Sequence, residues 1–108
     1  MTVGQELDRL IRTTIQNKQL LRFEYKGKER ICEPHDFGIQ KGIVRLFGWQ
    51  VGGLSSRRIP GWRLFDVAEI QKCEMLDGHF AGNRDVASGK HQRWDKVFIR
   101  VGPPSQSS

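Results

Sequence analysis

Gly42-Ile43-Val44-Arg45-Leu46-Phe47-Gly48-Trp49-Gln50-Val51 decides how the rest of the chain is read, because both alternating side-chain faces of this stretch are largely apolar. Such a run is either a doubly covered central strand or a fragment of buried helix. Gly48 within it, the glycines at Gly42 and Gly52-Gly53 around it, and its Val, Ile, Phe and Trp content select the strand. Glycine weakens a helix, and these side chains fit a pleated surface. Arg45 is the anomaly. A guanidinium among apolar neighbours is not buried unpaired, so it either meets a carboxylate or lies where the sheet opens to solvent or to an anionic ligand.

Working outward, short strands and tight turns flank this strand. Upstream, Leu20 to Tyr25 alternates, with Leu21, Phe23 and Tyr25 on one face and Arg22 and Glu24 on the other. Lys26-Gly27-Lys28 is a turn, Glu29 to Glu33 returns as a second strand closed by Pro34, and Gln40-Lys41-Gly42 turns again into the central strand. Downstream, Gly52 to Gly61 is a long connection holding Arg57-Arg58. Trp62 to Asp66 reads as a fourth strand, Val67-Ala68-Glu69 as a tight or 3₁₀ turn, and Ile70 to Leu76 as a fifth strand. At the N-terminus, Thr2 and Gln5 fit a capping box. Leu7, Leu10, Ile11 and Ile15 then follow at helical spacing, giving a packing helix with a narrow apolar stripe. Residues 77–102 form a loop-rich extension pinned by Phe80 and packed on the barrel, in which Trp94 to Val101 recovers strand character at a sheet edge, and residues 103–108 are expected to form a disordered tail. The expected architecture is mainly β with an N-terminal α-helix: a small five-stranded barrel over residues 1–76, capped by the helix. Its expected core is Leu7, Leu10, Ile11, Leu21, Phe23, Ile31, Val44, Leu46, Leu64 and Ile70.

The chain of 108 residues is of single-domain size, with no apolar segment of membrane-spanning length and no signal-peptide pattern at Met1 to Asn17, so a cytoplasmic location is expected. Cys32 and Cys73 lack the paired spacing of zinc or redox sites and lie within strand patterns, which favours buried free thiols over a disulfide between them. The net charge is +6, and it is unevenly placed: Arg22 to Arg63 holds nine basic residues against four acidic ones, while the segment after it is neutral. A concentration of this kind points either to a polyanionic partner or to a solubilising surface.

Catalysis is not expected. His35, His79 and His91 occur in unlike contexts without ligand spacing, and the chain has neither a nucleophile elbow nor a phosphate-cradling glycine loop. No metal or other cofactor is implied. What remains is binding by basic residues interleaved with Phe47, Trp49, Trp62 and Phe65, which combines phosphate neutralisation with base stacking. For Trp49 and Trp62 the alternative is a place in the core.

The order of helix, Leu21-Arg22-Phe23-Glu24-Tyr25, hairpin, Glu33-Pro34-His35 with Gly38, Leu46-Phe47-Gly48-Trp49-Gln50, Gly52-Gly53 and Pro60-Gly61-Trp62-Arg63-Leu64-Phe65 resembles the WYL domain, in particular its short stand-alone versions. The likeness covers Leu7 to about Leu76, and the name-giving Trp-Tyr-Leu falls on Val44-Arg45-Leu46. The resemblance implies an Sm-like (SH3-like) barrel that serves prokaryotic or phage regulators as a sensor or oligomerisation module, some members binding single-stranded nucleic acid. It further implies a ligand face using His35, Arg45, Arg57, Arg58 and Arg63. The expected partner is therefore single-stranded nucleic acid or a nucleotide-like anion, with a homodimer or a partner regulator as the alternative.

Overall fold

The computed structural model describes residues 4–55, 57–84 and 93–103. One helix, α1 (Gln5–Asn17), precedes strands β1 (Gln19–Tyr25), β2 (Lys28–Gln40), β3 (Ile43–Gly53) and β4 (Gly61–Asp66). A single 3₁₀ turn at Val67–Glu69 then leads into β5 (Ile70–His79), and β6 (Lys96–Arg100) closes the order. The fold class expected from the sequence is the one observed, mainly β with one N-terminal helix. Among the described residues no helix is long and apolar enough to cross a membrane.

Two Lys-Gly pairs set the register. Lys26 and Gly27 have φ of 52° and 77°, and Lys41 and Gly42 have 52° and 76°, the left-handed conformations that a two-residue hairpin turn with the twist of its strands demands. Tyr25 therefore faces Lys28, which places Phe23 opposite Arg30 and Leu21 opposite Cys32. Gln40 likewise faces Ile43 and Leu46 faces Phe37.

The antiparallel sheet runs β4-β3-β2-β1-β5, with β6 on β2. Strands β4 and β5 lie at opposite ends of that order, yet only Val67–Glu69 separates them in the chain. The sheet must therefore roll up. Contacts between β1 and β4 confirm the curl: Phe65 packs edge-on against Phe23 and Tyr25, each at 4.9 Å, and the Asp66 backbone N–H donates to the Tyr25 hydroxyl at 3.0 Å. The interior holds Leu21, Phe23, Tyr25, Cys32, Phe37, Leu46, Phe65, Val67 and Ile70, with Ile11 and Ile15 of α1 laid over one opening. Thr14 joins this stripe without stranding its hydroxyl, which donates to the Leu10 carbonyl at 2.7 Å.

Several expectations are corrected. Pro34 does not end the second strand, because β2 exchanges partners there: residues up to Cys32 pair with β1 and residues from Asp36 pair with β6. Proline's missing donor falls in the gap, and a bulge at His35 absorbs the mismatch with β3. The C-terminal strand begins at Lys96 rather than Trp94, and β5 runs past Leu76 to His79. Ile31 and Leu64 are only half-buried and lie outside the core, because the registers turn Arg30, Cys32 and Phe65 inward instead. The helix begins at Gln5, with Gly4 at its N-cap and no side-chain cap; Thr2 of the expected capping box lies outside the described residues. Gly102 and Pro103 are held by Asn83 and Lys18, whereas residues 104–108 of the expected tail lie outside the described residues.

Candidate functional site

Strict alternation along β3 and β4 divides the expected site residues between two faces of one sheet. Gly48 faces Arg63, and Trp49 faces Trp62, with no bulge between β3 and β4. Arg45, Phe47, Trp49 and Trp62 therefore stand on the outer side, while Arg63 points inward with Leu46, Gln50 and Phe65.

On the outer side the aromatic residues make a second packing layer. Trp62 stacks on Phe47 at 4.8 Å with an interplanar angle of 9°, and meets Trp49 and His35 edge-on. His35 is fully buried between Trp62 and Phe80, its Nε2 lying 3.4 Å from a Glu33 carboxylate oxygen. Arg84 covers Trp49 at 4.5 Å and donates to both oxygens of Glu33, at 3.0 and 2.8 Å. Arg45 takes the first of its two possibilities: it donates to Asp66 at 2.8 Å and to Gln40 at 2.7 Å. His35 is thus sealed from any surface ligand, Arg45 is neutralised, and the two tryptophans are half-buried, Trp49 beneath Arg84 and Trp62 against Phe47, Trp49 and His35.

The inner side presents the opposite electrostatics. Arg12, Arg22, Arg45, Arg84 and Arg100 each meet a carboxylate. Arg30 and Arg63, the most deeply buried arginines described at 8% and 7% exposure, meet none among the described residues. Arg30 lies over the rings of Tyr25 and Phe65 at 5.6 and 5.8 Å and donates to the Gln50 side-chain amide oxygen at 3.3 Å, while its buried Nε has no partner among the described residues. Arg63 donates to the carbonyls of Trp62 and Arg58, at 2.8 and 2.9 Å, and to the Ser55 hydroxyl. These acceptors are all neutral, so the hydrogen bonds are largely met but the charges are not. Burial pulls both guanidiniums below the ordinary arginine value, and the charges of Arg57 and Arg30 lower Arg63 further. Arginine nonetheless stays protonated at neutral pH. The two cations are therefore held desolvated, with no carboxylate beside them among the described residues.

The connection after β3 is lashed across this end of the barrel. The Gln50 side-chain Nε2 donates to the carbonyls of Gly52 and Leu54, at 2.9 and 3.0 Å, and the Leu54 N–H donates to the Glu29 carbonyl at 2.7 Å. Arg57 and Arg58 stand exposed on that loop. The structure thus brings Arg57, Arg58 and Arg63 together and leaves His35, Arg45, Trp49 and Trp62 elsewhere. It adds Arg30, Gln50 and Ser55, which sequence reasoning missed. The signal for Arg30 was present in the two-residue Lys26-Gly27 turn, which fixes its pairing with inward-facing Phe23.

Among the described residues no group of three His, Cys, Asp or Glu side chains could hold a metal ion. No family model matches the chain, and no curated protein or solved structure matches it either.

Proposed function

We propose that this chain is a cytoplasmic, non-catalytic regulatory module of WYL-like architecture that binds single-stranded nucleic acid or a nucleotide-like anion through Arg30, Arg57, Arg58 and Arg63. The observation that supports this reading is the buried Arg30–Arg63 pair, which meets no carboxylate among the described residues and lies beside an exposed Arg57-Arg58 loop. Uncompensated buried cations destabilise a fold, and an arriving phosphate relieves that cost with charge-assisted, often bidentate hydrogen bonds.

Fluorescence anisotropy of a labelled single-stranded oligonucleotide, titrated at several salt concentrations, tests the proposal. For single strands the slope of log K against log salt is about −0.7 per phosphate neutralised, so four contacts give about −3. Replacing Arg57 and Arg58 together by alanine makes the slope shallower by ~1 to 1.5. Arg9 and Arg93, exposed and away from this loop, serve as the control pair. An equal loss from the control pair would place the interface on another face.

A second reading has its own observation. Among the described residues strand β5 pairs only with β1; it is exposed along most of its length and presents Met75, which suits a homodimer or a partner regulator that adds a strand. Such an association changes little with salt and shows as a concentration-dependent mass in sedimentation.

A further inference from the structure

We propose that Arg30 and Arg63 seat a terminal phosphate monoester, so that the domain recognises the phosphorylated end of a strand whose following phosphates lie along Arg57 and Arg58. The inference rests on the nucleic-acid reading above and specifies which part of the ligand enters the barrel. Enclosure is the first argument. Both arginines are less than a tenth exposed, and Gln50, Leu54, Ser55 and Arg58 tie the loop down against them. A phosphodiester inside a strand carries a sugar on each side and needs a groove open at both ends. A monoester is attached on one side only and can enter end-on.

Charge is the second argument. A terminal phosphate bears −1.5 to −2 near neutral pH and offers three acceptor oxygens, whereas a diester bears a single charge. Two desolvated guanidiniums match the former and would remain half-compensated by the latter. The third argument is unused donor capacity: the Arg30 Nε is buried and has no partner among the described residues, although its guanidinium lies over the rings of Tyr25 and Phe65. A planar fork with a free donor suits a tetrahedral oxyanion.

Anisotropy with the full chain and oligo-deoxythymidine bearing a 5′-phosphate, a 3′-phosphate or hydroxyls at both ends reads the preference directly. One phosphorylated end is expected to bind about ten- to a hundredfold tighter than the hydroxyl strand, the range that one or two additional charge-assisted contacts support. Arg30→Met should remove that advantage while retaining the salt-dependent binding due to Arg57 and Arg58. Should Arg30→Met fold poorly, millimolar inorganic phosphate added to the unaltered protein should abolish the advantage and leave the hydroxyl strand's affinity unchanged. Equal binding of all three strands overturns the terminal-phosphate seat but leaves strand binding standing. An advantage that survives in folded Arg30→Met, or that inorganic phosphate fails to compete away, places the seat elsewhere. No binding of any strand at low salt defeats both readings.

Discussion

His35 is fully buried, and desolvation pulls its imidazole below the ordinary histidine value; Glu33 and Asp36 oppose that shift, and Arg84 adds to it. A base whose folded pKa is lowered binds protons more readily when unfolded, so its contribution to stability is present above about pH 6.5 and is lost as the pH falls from there toward the depressed folded value. The melting temperature should therefore drop between about pH 7.5 and 5.5. His79→Gln, at an exposed imidazole, should leave that drop unchanged, whereas a flat profile would show that His35 takes up its proton without disturbing the layer around it. The thiols behave more simply. Burial, reinforced by Cys73 and Glu33, raises Cys32, and burial pushes Cys73 up to about 12. Both are free thiols, so labelling of Cys32 should require denaturant, and rapid modification in native buffer would contradict its burial. Arg45 shows how far one residue can be read from sequence: its context left a carboxylate or an opening to solvent or an anion as alternatives, and the carboxylate it meets, Asp66, lies directly across the β3–β4 ladder and depends on a register that local pattern does not set.

At the scale of elements, the hairpins were legible because Lys-Gly turns announce them, and β4 and the 3₁₀ turn followed from their alternation and spacing. The length of β2 was not legible. A proline ordinarily stops a strand, and only the exchange of neighbours from β1 to β6 removes the need for its missing donor. The β2–β6 contact itself joins segments some sixty residues apart and leaves no local trace. It leaves instead a glycine: a Cβ on Gly38 would collide with the Lys96 carbonyl. Gly38→Ala should therefore loosen β6 selectively, at a cost of about 1–3 kcal/mol. Amide exchange should accelerate at Val97 to Arg100 and stay slow at Leu21 to Tyr25. Unchanged protection in β6 would show that the two backbones can separate without loss of pairing.

For the molecule as a whole, everything turns on a sheet that rolls up around Leu46, which is fully buried and faces Phe37 on one side and Phe65 on the other. Leu46→Ala should cost about 2–5 kcal/mol, a large share of the stability of a domain this small, and a melt within a degree or two of the parent would refute that central position. The general architecture was readable because apolar alternation and turn chemistry are local. The candidate site was only half readable, since loop arginines declare themselves by composition, whereas Arg30 becomes a site residue only once the hairpin register turns it inward. The buried Arg30–Arg63 pair also bears on the protein's fate in the cell. A partner that binds the folded chain alone stabilises it in proportion to occupancy, and degradation acts on the transiently open form. Under the proposed anion binding, the empty protein, whose two buried arginines meet no carboxylate among the described residues, is the short-lived one, and the abundance of the chain would rise and fall with the supply of that anion.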